Sequence, residues 1–528
     1  MKRLVLLLVS LPILCGHAQI ANGAEAKPDS VKGRTLLFVD NHHILYCAGT
    51  KRVLHPLQRY SADPIVPAGT KPWEPEIDWI SVYRNATTGK YQLWYQAYAG
   101  KMPEDKTRQC TVCYAESDDG IHFTKPNLGL FDFKGSKETS IVLVANGGFS
   151  DRYGVSVVVD PSDADLNRRY KMAYFDFAKD EQGHESPGMC VAFSPDGIHW
   201  TKHPKAPLSK AGYSDYGVPV PFADEKGKTD NQGFWPMPLS MSDALDVFFD
   251  TPRGVFAVYG KMWIDGPAGG QNWKHALGRT ESKDFIQWSQ PQLVLAPDEQ
   301  DPAWVEFHHA PVFFYNGCYF SAIQILDRAT GGGLLNVELA TSRDGLNWQR
   351  PFRKTYWFPH SEGNLYDSGS IFLCPQPVVL EDEIRFYYGA ISQGATTVFS
   401  KLISGIGMAT MRRDRFAGIQ PLPVSDQPTL KLKLENIGQV TLKPLDLRGC
   451  KGMTVNGDAS KGTIRCELLT EDGFRVRGYS KDDAVSLRGD SLRHRVAWKE
   501  NDLGKLPSGR YMLRLHLENA EVFAVSFD

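Results

Sequence analysis

Three short segments of the chain are near copies of one another: SDDGIHF (117–123), SPDGIHW (194–200) and SRDGLNW (342–348). A weaker fourth copy, ESKDFIQW, occupies 281–288. Each follows an alternating apolar run and precedes a polar or Pro-containing stretch. Self-similarity at a period of roughly 70 residues points to stacked or radial units rather than one irregular core. Asp-Gly makes the tight turn, because Gly tolerates positive φ and Asp bonds its own backbone. The aromatic three residues on starts the next strand. A repeated turn between strands predicts propeller blades.

Five such units can be counted. Their hairpins turn at Thr88-Gly89, around 161–167, at 252–254, at Asn316-Gly317 and at 381–383, each between alternating hydrophobic runs. Four units close on the repeat and the fifth on GIGMATMRRDRF (405–416). The apolar segment LLFVDNHHILY (36–46) is expected to close the ring with the last blade. A Pro-containing linker follows at 419–429. Seven short alternating strands over 430–528 then predict a β-sandwich. Helical periodicity is scarce. The expected fold is all-β: a five-bladed β-propeller over 27–418, then a C-terminal β-sandwich.

The ends and the charge narrow the setting. Lys2 and Arg3 precede an apolar run over 4–15, and small residues follow at Gly16, Ala18, Ala24 and Ala26. This is a secretory signal pattern over 1–26, too short to span a bilayer, so a periplasmic or secreted protein is expected. Formal net charge is −2, which leaves no basic footprint for nucleic acid or an anionic membrane. Cys110 and Cys113 form a C-x-x-C without a second pair or a His partner at zinc spacing, and read as buried small hydrophobes. Cys450 and Cys466 are candidates for a pair.

The motifs LLFVDNHHI, KRVLHP, KPWEPEI, YQLWYQAY, CYAESDDGIHF, RRYKM, SPDGIHW, FYYGA and GIGMATMRRDRF, with VTLKPL, VNGDASKGTIRCEL and GYS in the tail, carry a family likeness. The chain resembles the five-bladed propeller superfamily of glycoside hydrolase families 32, 43, 68 and 117. It is most similar to secreted bacterial proteins with a family-32-like N-terminal domain, over nearly the whole mature chain. The likeness implies a secreted glycoside hydrolase that degrades a polysaccharide or a derived oligosaccharide. It departs from family 32 in lacking Trp-x-Asn-Asp-Pro-Asn-Gly, Arg-Asp-Pro and Glu-Cys, so catalytic residues do not transfer by motif.

Glycoside cleavage needs two carboxyls across the scissile bond, and propeller sites lie on the axis where inner strands begin. Acids stand at all five entrances: Glu74 and Asp78, Asp151, Asp243 and Asp246, Glu306, and Asp367. Glu306 is the candidate general acid. It is flanked by Trp304, Phe307 and His308, which would desolvate it and raise its pKa, although the resembled families carry their acid on the third blade rather than the fourth. Asp78 is the candidate base or nucleophile, and Asp151 would hold up the acid's pKa. Trp73, Glu74, Asp243, Asp246, His308 and Asp367 are candidate substrate contacts. Trp79, Trp235, Trp304 and Tyr366 could stack on sugars or pack between blades, and His309 reads as structural. The resemblance also raises a central structural ion near His308; no cofactor is otherwise required. Action as a monomer on carbohydrate is expected. Two alternatives stand: a glycoside phosphorylase, with Arg152, Arg279 or His275 for phosphate, and a non-catalytic carbohydrate-binding propeller. N-terminal sequencing of the mature protein should begin at Gln19 or Lys27; an intact Met1 on cytoplasmic protein would contradict export.

Overall fold

The computed structural model describes residues 30–100, 105–147, 154–179, 185–205, 208–210, 241–264, 274–329, 332–394, 402–423 and 436–528. Regular structure among them is β-strand with short 3₁₀ turns. Five antiparallel sheets of four to six strands form the blades. Their inner strands are Glu76–Arg84, Val155–Val159, Met241–Asp250, Val305–His309 and Ser370–Leu373. Each blade is a meander outward from its inner strand, so all five inner strands run the same way and begin at one end of the axis.

The repeat closes the first four blades by local chemistry. Ser117 Oγ donates to Asp119 Oδ1 (2.9 Å) and accepts from the Gly120 N–H (2.9 Å). Asp119 Oδ1 also accepts from the N–H groups of Ile121 and His122, both at 2.8 Å. The same bonds recur at Ser194/Asp196, Ser282/Asp284 and Ser342/Asp344. The glycine carbonyl then accepts from the preceding blade: from Trp94 Nε1 to Gly197 O (2.6 Å), Tyr259 OH to Gly345 O (2.6 Å) and Tyr387 OH to Gly120 O (2.9 Å). The last bond runs from blade 5 to blade 1 and closes the ring.

The fourth copy departs instructively. Phe285 replaces the glycine yet keeps the left-handed backbone, at φ +66°. Its ring is fully buried against Phe256 and Trp288 (centroids 5.2 and 5.4 Å) and shares a core with Ala173 of blade 2. Ala173 stands opposite Ser156, as Trp94 stands opposite Ser81 in blade 1. A small residue on the blade thus makes room for a large one in the turn.

Ring closure differs from the sequence expectation. Gln58–Arg59 and Val66–Pro67, not 36–46, complete the outer edge of blade 5 by pairing with Ser404–Arg412. Thr35–Leu37 pairs instead with Glu521–Phe527, and Ile44–Ala48 with Ile437–Leu442. The reason is that 36–39 are apolar on both faces. Leu36 and Phe38 enter the C-terminal core, while Leu37 and Val39 enter the core of blades 4 and 5. The C-terminal residues form one ten-stranded sheet with strands from 35–54 and 417–421. Its 18-residue strand Met453–Thr470 pairs with Glu521–Phe527 along its first part and with Arg510–Glu518 along its second. The candidate strand over 430–435 lies outside the described residues. Cys450 and Cys466 are both free thiols.

Gly197 leaves no room for a side chain: a Cβ there would lie 2.6 Å from the Trp94 ring, at φ +82°. Gly197→Ala should cost about 2–4 kcal/mol through combined strain and overpacking. Phe285→Ala should cost about 3–5 kcal/mol as a core cavity. Urea denaturation of both variants beside wild type measures this.

Candidate active site

The inner strands carry irregularities at the mouth. Pairing skips Trp79, between Asp78 and Ile80, and skips His308, between Phe307 and His309. The blade 3 inner strand is irregular between Met241 and Leu245. A bulge breaks the in–out alternation and re-aims its extra residue. Trp79 and His308 consequently meet, with ring centroids 6.3 Å apart and planes 28° from parallel. Trp79 also touches His309 (5.0 Å) and Phe372 of blade 5 (4.6 Å), and packs with Ala244, Leu326, Leu335 and Ile391. Four blades therefore converge on Trp79, which is 4% exposed and forms an apolar floor.

Polar groups surround that floor. Asp78 Oδ1 accepts from Gln96 Nε2 at 3.0 Å. Asp246 Oδ2 lies 3.0 Å from His309 Nε2. Asp243 pairs with Lys261 of the neighbouring strand. Glu306 Oε2 accepts from the His275 backbone N–H (3.0 Å) and lies 2.7 Å from His275 Nδ1, while Arg328 grips its Oε1. His308 Nδ1 is 3.3 Å from Gln324 Oε1, and His308 keeps part of its surface accessible.

The other sequence candidates lie elsewhere or beyond description. Asp151, Arg152 and Trp235 fall outside the described residues. Glu74 is fully buried and bonded to Thr70, Tyr95 and Lys125, where it ties the chain entering blade 1. Trp73 packs on Phe133 within the blade 1 core (6.4 Å). Asp367 accepts from Arg59 Nε (2.6 Å) and Tyr388 OH (3.3 Å), holding the ring-closing segment. Tyr366 is buried with its OH 2.7 Å from that of Tyr388. Trp304 is 51% exposed. Arg279 lies near the repeat turns, ion-paired with Asp250, so it is no phosphate ligand at the mouth. His275, Lys261, Gln96, Gln324 and Arg328 complete the cluster from second and third strands or the end of one, where no motif marks them.

Electrostatics correct the expected assignment of Glu306. Burial pushes its carboxyl up, but His275 and Arg328 outweigh burial and hold it at about 2. The flanking apolar residues do not decide its state, because its partners come from across the sheet and from blade 3. Asp78 behaves oppositely: burial first, then Glu76, raise it well above the usual carboxylate value against the bond from Gln96. Burial also raises Asp246, against His309. Burial, then the Lys261 charge, lowers His275 to about 4 despite Glu306. At neutral pH Glu306 is ionised and His275 neutral, whereas burial biases Asp78 toward its protonated form. Among the described residues no three His, Cys, Asp or Glu are grouped to hold a metal.

No protein-family profile matches the chain. A curated relative, the A type blood N-acetyl-α-D-galactosamine deacetylase of Flavonifractor plautii, is 24% identical over 264 residues, which is 44% of this chain. The chain covers 31% of that relative's length. Among solved structures, a glycoside hydrolase superposes with TM-score 0.44 at 15% identity, over 68% of this chain and 92% of the other. An exo-inulinase from Aspergillus awamori superposes with TM-score 0.37 at 13% identity, over 87% and 99% of the two chains. The fold itself rests on the strand pairing described above.

The raised pKa of Asp78 has a stability consequence. Unfolded, it titrates near 3.9. Above that pH the unfolded chain releases a proton that the folded chain retains, so the stability cost of Asp78 grows with pH and levels off at its full value once pH passes the folded pKa. Asp78→Asn should therefore melt higher than wild type at pH 7, and the gain should shrink to nothing toward pH 4. Thermal midpoints across that range test it.

Proposed function

We propose that this chain is an exported glycoside hydrolase whose reaction centre is the axial mouth, acting on a polysaccharide or an oligosaccharide from it. One observation carries the reading. Two buried carboxyls, Asp78 on blade 1 and Glu306 on blade 4, begin non-adjacent inner strands at the same end of the axis, and their surroundings shift their pKa values in opposite directions. Environments that drive two such pKa values apart mark acid and base sides of a site. Glycosidic hydrolysis requires one group that protonates the leaving oxygen and an ionised side that activates water or stabilises the cation. Asp78 takes the first part. Glu306 defines the second, which reverses the roles expected from the sequence.

A second reading is hydrolysis of an N-acetyl group on a sugar. It is favoured by the match to a deacetylase and by the His275–Glu306 contact, a pairing suited to activating water toward an acyl carbon. Incubation with a glycan panel separates the two: new reducing ends mark glycosidic cleavage, and free acetate with an intact chain marks deacetylation.

For the first reading, Asp78→Asn should lose about 10²–10⁴ in rate on a natural glycan and much less on an aryl glycoside with a good leaving group. Glu306→Gln should lose comparable activity on both, since it serves the other side. A full-rate Asp78→Asn would remove Asp78 from catalysis.

A further inference from the structure

On the ionised side of the mouth, the free basic atom is not on Glu306. Both its oxygens are committed: Oε1 to Arg328, and Oε2 to the His275 backbone N–H (3.0 Å) and Arg328 Nη2 (3.3 Å), with His275 Nδ1 2.7 Å away. The His275 ring is 4% exposed and lies against Trp263 with centroids 3.8 Å apart, which fixes its plane. Neither ring nitrogen makes a hydrogen bond of good geometry among the described residues, but Nδ1 has Glu306 Oε2 at 2.7 Å, whereas Nε2, on the opposite ring edge, has no such neighbour. A buried imidazole nitrogen costs free energy unless something occupies its lone pair. Lys261, ion-paired with Asp243, disfavours protonation of this ring, and His308 lies 6.1 Å from it.

We infer that His275 is the general base, with Glu306 as its positioning residue; this rests on the hydrolytic reading above. Glu306 Oε2, 2.7 Å from Nδ1, faces an Nδ1–H as acceptor and so favours the tautomer that leaves the Nε2 lone pair free. The step balances as follows. Nε2 takes a proton from water while the water oxygen bonds to the anomeric carbon. The bond from that carbon to the leaving oxygen breaks, and Asp78 delivers its proton to that oxygen. His275 and Asp78 then return to their starting states by proton exchange with solvent. The net reaction is addition of one water. If deacetylation is the reaction, the same base acts on the acyl carbon and Asp78 protonates the leaving nitrogen.

Two measurements decide it. Nitrogen-15 NMR of the His275 imidazole in the full-length wild-type protein at pH 7 should show the proton on Nδ1; a proton on Nε2 overturns the inference whatever the substrate. In turnover, His275→Ala should lose about 10²–10⁴ in kcat with KM little changed, and added imidazole should restore part of it. Glu306→Gln should shift the NMR signal toward the Nε2-protonated tautomer, which a merely structural glutamate would not do. A full-rate His275→Ala, or one whose loss is indifferent to imidazole while it melts like wild type, overturns the assignment. A wild-type protein that cleaves nothing in the panel yet carries its proton on Nδ1 refutes the proposed function while leaving the dyad intact.

Discussion

The bond from one blade's middle strand into the next blade's turn ties three of the five seams of the ring, the closing seam between blades 5 and 1 among them. The turn alone is a local device, a serine and an aspartate satisfying backbone N–H groups that would otherwise be orphaned. Its carbonyl, however, is presented outward, where Trp94, Tyr259 or Tyr387 reaches it from the preceding blade. Each such bond is worth only about 1 kcal/mol net. Its importance is that it couples a local turn to a neighbour across the ring, so that blades cannot drift independently. Serine hydroxyls repeat the logic nearer the axis: Ser81 accepts from the Val157 N–H and Ser156 from the Val247 N–H, both at 2.8 Å.

A ring so tightly registered would, by alternation alone, present a uniform axis. The bulges are what turn it into a site. By removing Trp79 and His308 from the ladder they bring an indole and an imidazole together over a polar collar. Low exposure of Asp78, Glu306 and His275 means that their pKa values are set by burial and by neighbouring groups. Opposite pKa shifts then follow from geometry: Glu306 meets donors and cations, whereas Asp78 is desolvated and meets another carboxylate and one amide.

The parts legible in the sequence are those written locally. The Asp-Gly turns, the hairpins and the number of blades depend on residues a few positions apart, and the structure shows them where the pattern placed them. The acids at the blade entrances were legible as a set. Position along the chain told their level on the axis but not the face they present, so Glu74 and Asp367, read as substrate contacts, turn out to fasten incoming chain. Glu306 was found but its charge was misjudged, because Arg328 and His275 reach it from strands 22 positions ahead and 31 behind. The same is true of 36–46. It was expected to close the ring with the last blade, but the two apolar faces of 36–39 are divided between the C-terminal core and that of blades 4 and 5.

That two-faced segment links closure of the ring to the site. Residues 35–39 stitch the C-terminal sheet to blades 4 and 5, and Arg59, further on, grips Asp367 as the outer edge of blade 5 is completed. The seam this closes, between blades 5 and 1, is the one that Asp78 occupies. Gly389 of blade 5 lies against the Asp78 backbone so closely that a Cβ would approach its carbonyl carbon to 2.8 Å. Phe372 of blade 5 meets Trp79 across the same seam. Opening it would admit water to Asp78 and remove the desolvation that raises its pKa. The C-terminal sheet therefore bears on the chemistry without touching it. By anchoring the segment that closes the last blade, it keeps dry the one carboxyl whose proton the proposed reaction needs.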